Sequence, residues 1–287
     1  MASSVDLEGL QLIARGGQAD IYAYGDRKIV RVGRREQDRD RIRYEYSVYS
    51  CLAGSGVTVP TVYELAQAGG MPAIIMDRIA GVSMMDQIKS NPFSARAKAR
   101  ELADLHLQIG KVVAPRQITD AKAKAEFCIG KSENIDGHDK ERIIEIMKSL
   151  PDGTNFCHGD FHPGNILHCD GKNYVIDWSA ASRGDFHADV AHSYLLLRVV
   201  PRVPHLNSVM HLIQKRIGRA IANTYLSTVA NQWRIDYKIL SRWILINAAE
   251  RTYHGMASET QALKAFIDRY LMMLREGKNE ELAYQTL

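Results

Sequence analysis

Cys157-His158-Gly159-Asp160-Phe161-His162-Pro163-Gly164-Asn165-Ile166-Leu167 sets a carboxylate and, five residues on, a side-chain amide around a Pro-Gly turn. Twelve residues beyond Asn165 comes Ile176-Asp177-Trp178. Phosphoryl transfer needs one carboxylate to orient an acceptor hydroxyl and take its proton, and oxygen ligands that hold Mg²⁺ against the phosphates. Asp160 is the candidate base, and Asn165 and Asp177 are the candidate metal ligands. Pro163 and Gly164 favour a tight turn that directs both loop side chains the same way. The competing reading is an ordinary loop in which Asp160 and Asn165 cap turns. The spacing, the following hairpin and the trailing aspartate agree on chemistry instead.

The elements that must position these residues fall into two groups. Leu10 to Ala14, Ile21 to Tyr24 and Lys28 to Val32 alternate as strands, separated by turns at Arg15 to Asp20 and Gly25-Asp26. A charged helix is expected from Glu36 to Ala53, ended by Gly54 and Gly56, with short strands at Val62 to Ala66 and Ala73 to Met76. After Gly81 the pattern turns helical. Ser94 is the expected N-cap of a helix to Ile109 with Leu102, Leu105 and Ile109 on one stripe. Ile143, Ile144 and Met147 mark another helix, halted by Pro151. Ile166 to His168 and Tyr174 to Ile176 flank Asp170-Gly171-Lys172-Asn173 as a hairpin, and helices dominate from Val190 to the end. The fold class is α+β, a small antiparallel-sheet N-lobe over residues 1–79 and a mostly helical C-lobe over 80–287, with the seam near Ile79 to Gly81.

His-Gly-Asp-Phe-His-Pro-Gly-Asn-Ile-Leu followed by Val-Ile-Asp-Trp resembles the aminoglycoside phosphotransferase/choline kinase family, distant relatives of the protein kinases. The resemblance implies a bilobal protein-kinase-like fold and transfer of the γ-phosphate of ATP or GTP to a small-molecule hydroxyl. It implies that Gly16-Gly17 is an abbreviated nucleotide loop and that Arg31 stands where the family carries a strand lysine on the phosphates. Arginine can hold phosphate bidentately. Lys28 competes for the role, but three positions along a strand reverse its face. Glu45 matches the helix glutamate that orients the basic residue. Met76-Asp77-Arg78-Ile79-Ala80-Gly81 resembles the hinge, with Met76 lining the adenine pocket and the backbone of Asp77 and Ile79 on the purine edge. In Gly184-Asp185-Phe186-His187-Ala188-Asp189-Val190, Asp189 braces the catalytic loop. Phe186 replaces the usual proline and Ser179 an acidic residue, both expected beside the acceptor. His106, in Leu105-His106-Leu107, is expected to be a packed structural histidine.

A protein kinase is the nearest alternative. Against it, Trp178-Ser179 replaces Phe-Gly after Asp177, and only twelve residues separate Asp177 from Asp189. A catalytically weak nucleotide-binding regulator is a second alternative, raised by Arg31. The net charge of +4 and the absence of a basic tract interleaved with aromatics argue against nucleic acid. No stretch reaches the roughly 20 apolar residues of a membrane span. The N-terminus lacks the apolar core of a signal peptide. Cys51, Cys128, Cys157 and Cys169 are scattered, as reduced thiols in a cytoplasmic protein would be. Their spacing with His158, His162 and His168 fits no common zinc site. From His205 onward seven acids face eleven bases, which weakens the case for a polycationic, aminoglycoside-like acceptor and leaves it open beside a neutral sugar, an amino alcohol or a nucleoside-like hydroxyl compound. No obligate protein partner is evident.

Overall fold

Period-two alternation of β-branched residues builds the N-terminal sheet. Its strands lie in the order Ser4–Val5, Val62–Ala68, Met71–Asp77, Lys28–Gly33, Ala19–Tyr24, Leu12–Arg15. Neighbours are antiparallel except Ser4–Val5, which adds parallel to Val62–Ala68. In the central strand Val30 and Val32 enter an apolar cluster with Val5, Ala66, Ala68, Ala73 and Ile75. Burying each valine contributes about 1.5–3 kcal/mol. Arg31 therefore projects from the other face of the sheet.

The computed structural model describes residues 3–199, 208–254 and 257–287. Their α+β fold divides into two units, Met1–Gln87 with Pro163–Ala181, and Ile88–His162 with Ser182–Leu287.

In the first unit a 3₁₀ turn, Glu36–Asp38, leads into the helix Arg39–Leu52. Ile42, Glu45, Val48, Tyr49 and Leu52 form its buried stripe. Gly54 follows with φ +76°, the left-handed conformation that ends a helix at little cost for glycine. The expected hairpin is present as Ile166–Cys169 paired with Lys172–Val175. Its turn is narrower than expected. Asp170 (φ 49°) and Gly171 (φ 72°) alone make it, as a type I′ turn requires.

In the second unit the helices are Ala95–Gly110, Ala121–Lys131, Gly137–Lys148, Phe186–Arg198, Ser208–Gln232, Tyr237–His254 and Ala257–Arg275. Residues 200–207, inside the stretch expected to be helical after Val190, lie outside the described residues. A two-stranded ribbon, Asn155–Cys157 with Ser182–Gly184, leads the chain into the 158–162 loop and takes it up again after residue 181. Ser94 does not cap as expected. Its hydroxyl donates to Asn91 O (2.7 Å), because Pro92–Ser94 already forms a 3₁₀ turn before the helix. Leu102 and Ile109 are buried as expected, Leu105 only half so, and Ala99, His106 and Leu107 widen the stripe. Asp120 caps the unforeseen helix Ala121–Lys131 by accepting from the N–H groups of Lys122 and Ala123.

Candidate active site

The first unit holds nine of the candidate residues, Asp160 alone lying in the second. Arg31 Nε donates to Glu45 Oε2 (2.8 Å) and Arg31 Nη2 to Asp177 Oδ1 (3.1 Å). Glu45 is 1% exposed, so it is a buried partner of the strand rather than part of the charged surface around it. Burial by itself would lower the Arg31 pKa, but Glu45, then Asp177, outweigh it and hold the guanidinium firmly protonated. Burial raises the Glu45 carboxyl, against the pull of Arg31. Lys28 lies on the opposite face, its Nζ 4.0 Å from the centroid of the Tyr63 ring.

Asn165 and Asp177 are set side by side by the hairpin. The Ile176 N–H donates to Asn165 O (3.0 Å), one step beyond the Ile166–Val175 pair. Asp177 takes a left-handed φ of 62°, which non-glycine residues seldom adopt. Its N–H donates to Tyr49 Oη (3.3 Å), and its Oδ1 also accepts from Ser179 Oγ (3.0 Å). The Asp177 side chain remains 37% exposed. The 3₁₀ turn Trp178–Ala180 after it is anchored by Trp178 Nε1 on Val175 O (3.1 Å) and by Tyr44 Oη on Ala181 O (2.8 Å). Ser179, expected beside the acceptor, thus steadies Asp177.

Gly16 and Gly17 occupy the turn between Leu12–Arg15 and Ala19–Tyr24. Neither needs a positive φ. A Cβ on Gly17 would meet nothing within 4 Å, so the turn itself does not demand glycine there. Arg34 Nη1 donates to Gly16 O (2.9 Å) and closes the turn against the neighbouring strand. Met76 is buried at 3% exposure. The Asp77 N–H goes to Thr61 O, and its carboxylate accepts from Thr61 N–H and Tyr63 Oη. Arg78 N–H is taken by Arg27 O, whereas the Ile79 N–H has no backbone partner among the described residues.

The second unit fixes the loop that carries Asp160. Asp189 is 2% exposed and grips that loop by its backbone, Oδ2 accepting from His158 N–H (2.6 Å) and Oδ1 from Gly159 N–H (2.8 Å). His106 Nε2 lies 2.8 Å from Asp189 Oδ2 and His106 Nδ1 lies 2.5 Å from Tyr225 Oη. His106 is wholly buried, as expected of a structural histidine, with its ring 4.3 Å from that of Phe161. Burial would raise the Asp189 carboxyl, but His106, His158 and the Gly159 amide hold it well below the usual carboxylate range. Asp160 keeps a 37% exposed side chain, with His162 Nε2 3.7 Å from its Oδ2. Burial would raise its pKa too, and His162, His192 and His158 more than reverse this.

Phe186, expected beside the acceptor, is core. Its ring is 1% exposed, stacks near Trp233 (4.8 Å between centroids) and fills the space a Cβ on Gly110 would need. It occupies the first helical position, where proline is otherwise favoured. Tyr49, Tyr225 and His192 are supporting residues that the sequence reading did not single out. Their signal, a polar tip on an apolar helix stripe, is shared with ordinary core positions.

Residues 9–207 match the phosphotransferase enzyme family. The viomycin phosphotransferase of Streptomyces vinaceus is 26% identical over 204 residues, covering 63% of this chain and 71% of the relative. Among solved structures, a choline/ethanolamine kinase family protein from Mesorhizobium loti superposes with a TM-score of 0.62 at 14% identity, covering 96% of this chain and 91% of that one. A thermostable mutant aminoglycoside phosphotransferase, in ternary complex with ADP and hygromycin B, superposes with a TM-score of 0.59 at 16% identity over 90% of both chains. No helix among the described residues is long and apolar enough to cross a membrane.

Proposed function

The chain belongs to the phosphotransferase enzyme family and is an ATP-dependent phosphotransferase with a hydroxyl acceptor, and on that premise we propose the roles of its residues and the class of its acceptor. Residues 1–79 bind the nucleotide, with the Gly16-Gly17 turn over the phosphates, Met76 against the adenine, and the Asp77 carbonyl and Ile79 N–H on its edge. Residues 80–287 supply the catalytic loop and the acceptor site. The observation that carries this reading is the Arg31–Glu45–Asp177 chain of charges beside Asn165, linked by bonds of 2.8, 3.1 and 3.0 Å.

The donor set suits Mg²⁺. Asn165 and Asp177 offer hard oxygen atoms just beyond the open end of the Ile166–Cys169/Lys172–Val175 hairpin, and no group of three or more His, Cys, Asp or Glu among the described residues forms a closed cage. Mg²⁺ is commonly held by one or two protein oxygens together with phosphates. When bound, it would neutralise charge on the transferring phosphate. Asp177 Oδ1 is meanwhile shared between Arg31 and Ser179, so Arg31 holds the carboxylate in place before the nucleotide arrives. Glu45 keeps Nε of that guanidinium fixed while its other nitrogens can turn to phosphate oxygens. Asp160 orients the acceptor hydroxyl and takes its proton. Its depressed pKa keeps it ionised at neutral pH and makes it a weak base, matched to a proton that leaves late in a loose transition state.

The acceptor we propose is a small hydroxyl compound of low positive charge, a sugar or amino alcohol in preference to a polycation. In the second unit the buried carboxylate of Glu250 already faces Lys124 at 3.3 Å, which removes it as a site for a substrate amine. The test is a panel of sugars, amino alcohols and aminoglycosides, with ATP and GTP in separate arms and phosphorylated product detected by mass. Product from a neutral or singly charged acceptor supports the proposal. Turnover confined to polyamines overturns the acceptor class, and nucleotide binding with no phosphorylated product favours a regulator.

A further inference from the structure

Outside the catalytic loop, the second unit carries an arginine cluster that no carboxylate balances. Arg96 and Arg100 on the helix Ala95–Gly110, and Arg216 and Arg219 on the helix Ser208–Gln232, line one groove of about 610 Å³. The other polar lining groups are Asn223, Thr224, Ser227, Thr228 and Asn231, of which the Ser227 and Thr228 hydroxyls already donate to Thr224 O, and no acid lines the groove. None of the four arginines has a carboxylate partner among the described residues. In the same unit Arg242, Arg251 and Arg275 each hold one, at 2.8, 2.5 and 2.9 Å. The acids nearest in sequence are engaged elsewhere, Glu101 with Lys98 (2.8 Å) and Asp104 with Gln232 (2.8 Å).

Positions 216, 219, 223, 227 and 231 follow helical spacing, so this lining runs along about 22 Å of one helix. Arg219, Asn223 and Ser227 also line an adjoining basin of about 410 Å³ that includes Arg198. There burial lowers the Arg198 pKa, opposed by Tyr194 and aided by the nearby Arg219 charge, and Arg198 Nη2 donates to Gln285 O and Leu287 O. A length of surface that gathers guanidinium groups and hydroxyls without acids is costly unless an anion meets it. No residue of the 158–165 loop lines either basin, so the groove is separate from the site of phosphoryl transfer.

We propose that this groove binds a run of closely spaced phosphates, as in inorganic polyphosphate or a small polyphosphorylated molecule. Guanidinium forks match phosphate oxygens, and several along one helix match several phosphates. A nucleic acid fits less well, because the groove has no aromatic side chain on which a base could stack. The tyrosines of the adjoining basin are turned to one another, Tyr237 stacked on Tyr284 at 6.0 Å and Tyr194 edge-on to Tyr284 at 5.6 Å.

The experiment measures binding of fluorescent polyphosphate to the full chain without nucleotide, at physiological ionic strength, with tripolyphosphate, orthophosphate and a single-stranded oligonucleotide as competitors. Polyphosphate binds wild type, and Arg216→Glu with Arg219→Glu weakens it at least about 30-fold and reduces the salt dependence by about two counterions. The charge-matched pair Lys111→Glu with Arg116→Glu, exposed but outside the groove, changes it less than about threefold. Displacement by tripolyphosphate assigns the site to short polyphosphorylated molecules, and displacement by long polyphosphate alone assigns it to the polymer. Either supports the proposal. No polyphosphate binding to wild type, equal losses in the two double variants, or tighter binding of the oligonucleotide overturns it. If the groove double variant melts early, Arg96→Glu on the other helix decides, with a loss of about tenfold expected and no loss contradicting the proposal.

Discussion

Glu45 and Asp189 are both carboxylates shut away from solvent, at 1% and 2% exposure, yet they are compensated in opposite ways. Glu45 faces a side chain, Arg31, whose other end is shared with Asp177. Asp189 faces two backbone amides, His158 and Gly159, and a buried histidine. Burial leaves the Glu45 carboxyl raised, while the donors around Asp189 overcome burial and keep its carboxyl depressed. A side-chain partner can turn to a new ligand, whereas backbone amides cannot leave. The first unit therefore holds its charges in a side-chain pairing, which under the proposed function is the one a nucleotide rearranges, and the second holds its loop by backbone amides.

The sharpest way to break that comparison is to remove each carboxylate and measure unfolding in urea. Asp189→Ala strands two loop amides and His106 together, and we expect a loss of about 3–5 kcal/mol. The pH dependence of stability should come next in size. His192 is buried and its pKa falls to about 4, with burial as the first cause. The unfolded chain therefore binds the proton first, and stability is lost as pH falls from about 6.5 towards 4, by on the order of 3 kcal/mol. His192→Gln should flatten that slope. The depressed Asp160 and Asp189 carboxyls act in the same direction but only at lower pH, since their stabilisation persists down to the unfolded carboxylate pKa.

Glu45→Gln should cost less, about 1–2 kcal/mol, because Asp177 still pairs with Arg31 and an amide can still accept its Nε–H. Nucleotide affinity should fall about tenfold at the same time, measured by calorimetry. A Glu45 cost equal to that of Asp189 would contradict the distinction between a rearrangeable and a fixed half. The smallest effect belongs to Ser179→Ala, at most about 1 kcal/mol, since Asp177 Oδ1 keeps Arg31.

Much of the site was legible because its signals are local. Asp160, Asn165 and Asp177 stand at fixed offsets around one turn and one hairpin, and the Asp170-Gly171 turn sets the register that brings Asn165 beside Asp177. The Arg31–Glu45 pair was legible only through resemblance, since charge counting makes Glu45 one acid among many on a charged helix. The parity argument did place Lys28 on the other face of the strand. What escaped depends on contacts between distant segments. Phe186 looks like a substitution at the acceptor, but Gly110, far away in sequence, leaves the space its ring fills. Tyr225 and Tyr49 look like core tyrosines because only their hydroxyls touch the site's supports. The left-handed Asp177 has no sequence signature, since aspartate adopts that conformation too rarely to be expected.

The central claim is that Asp160 serves the acceptor and not the nucleotide. It is tested most directly by measuring ATP affinity and phosphoryl-transfer rate side by side in Asp160→Ala, on an acceptor found in the panel. Transfer should fall by about 10²–10⁴-fold, the range for loss of a positioned general base, with ATP affinity changed less than about threefold. Unchanged turnover in Asp160→Ala would contradict the account.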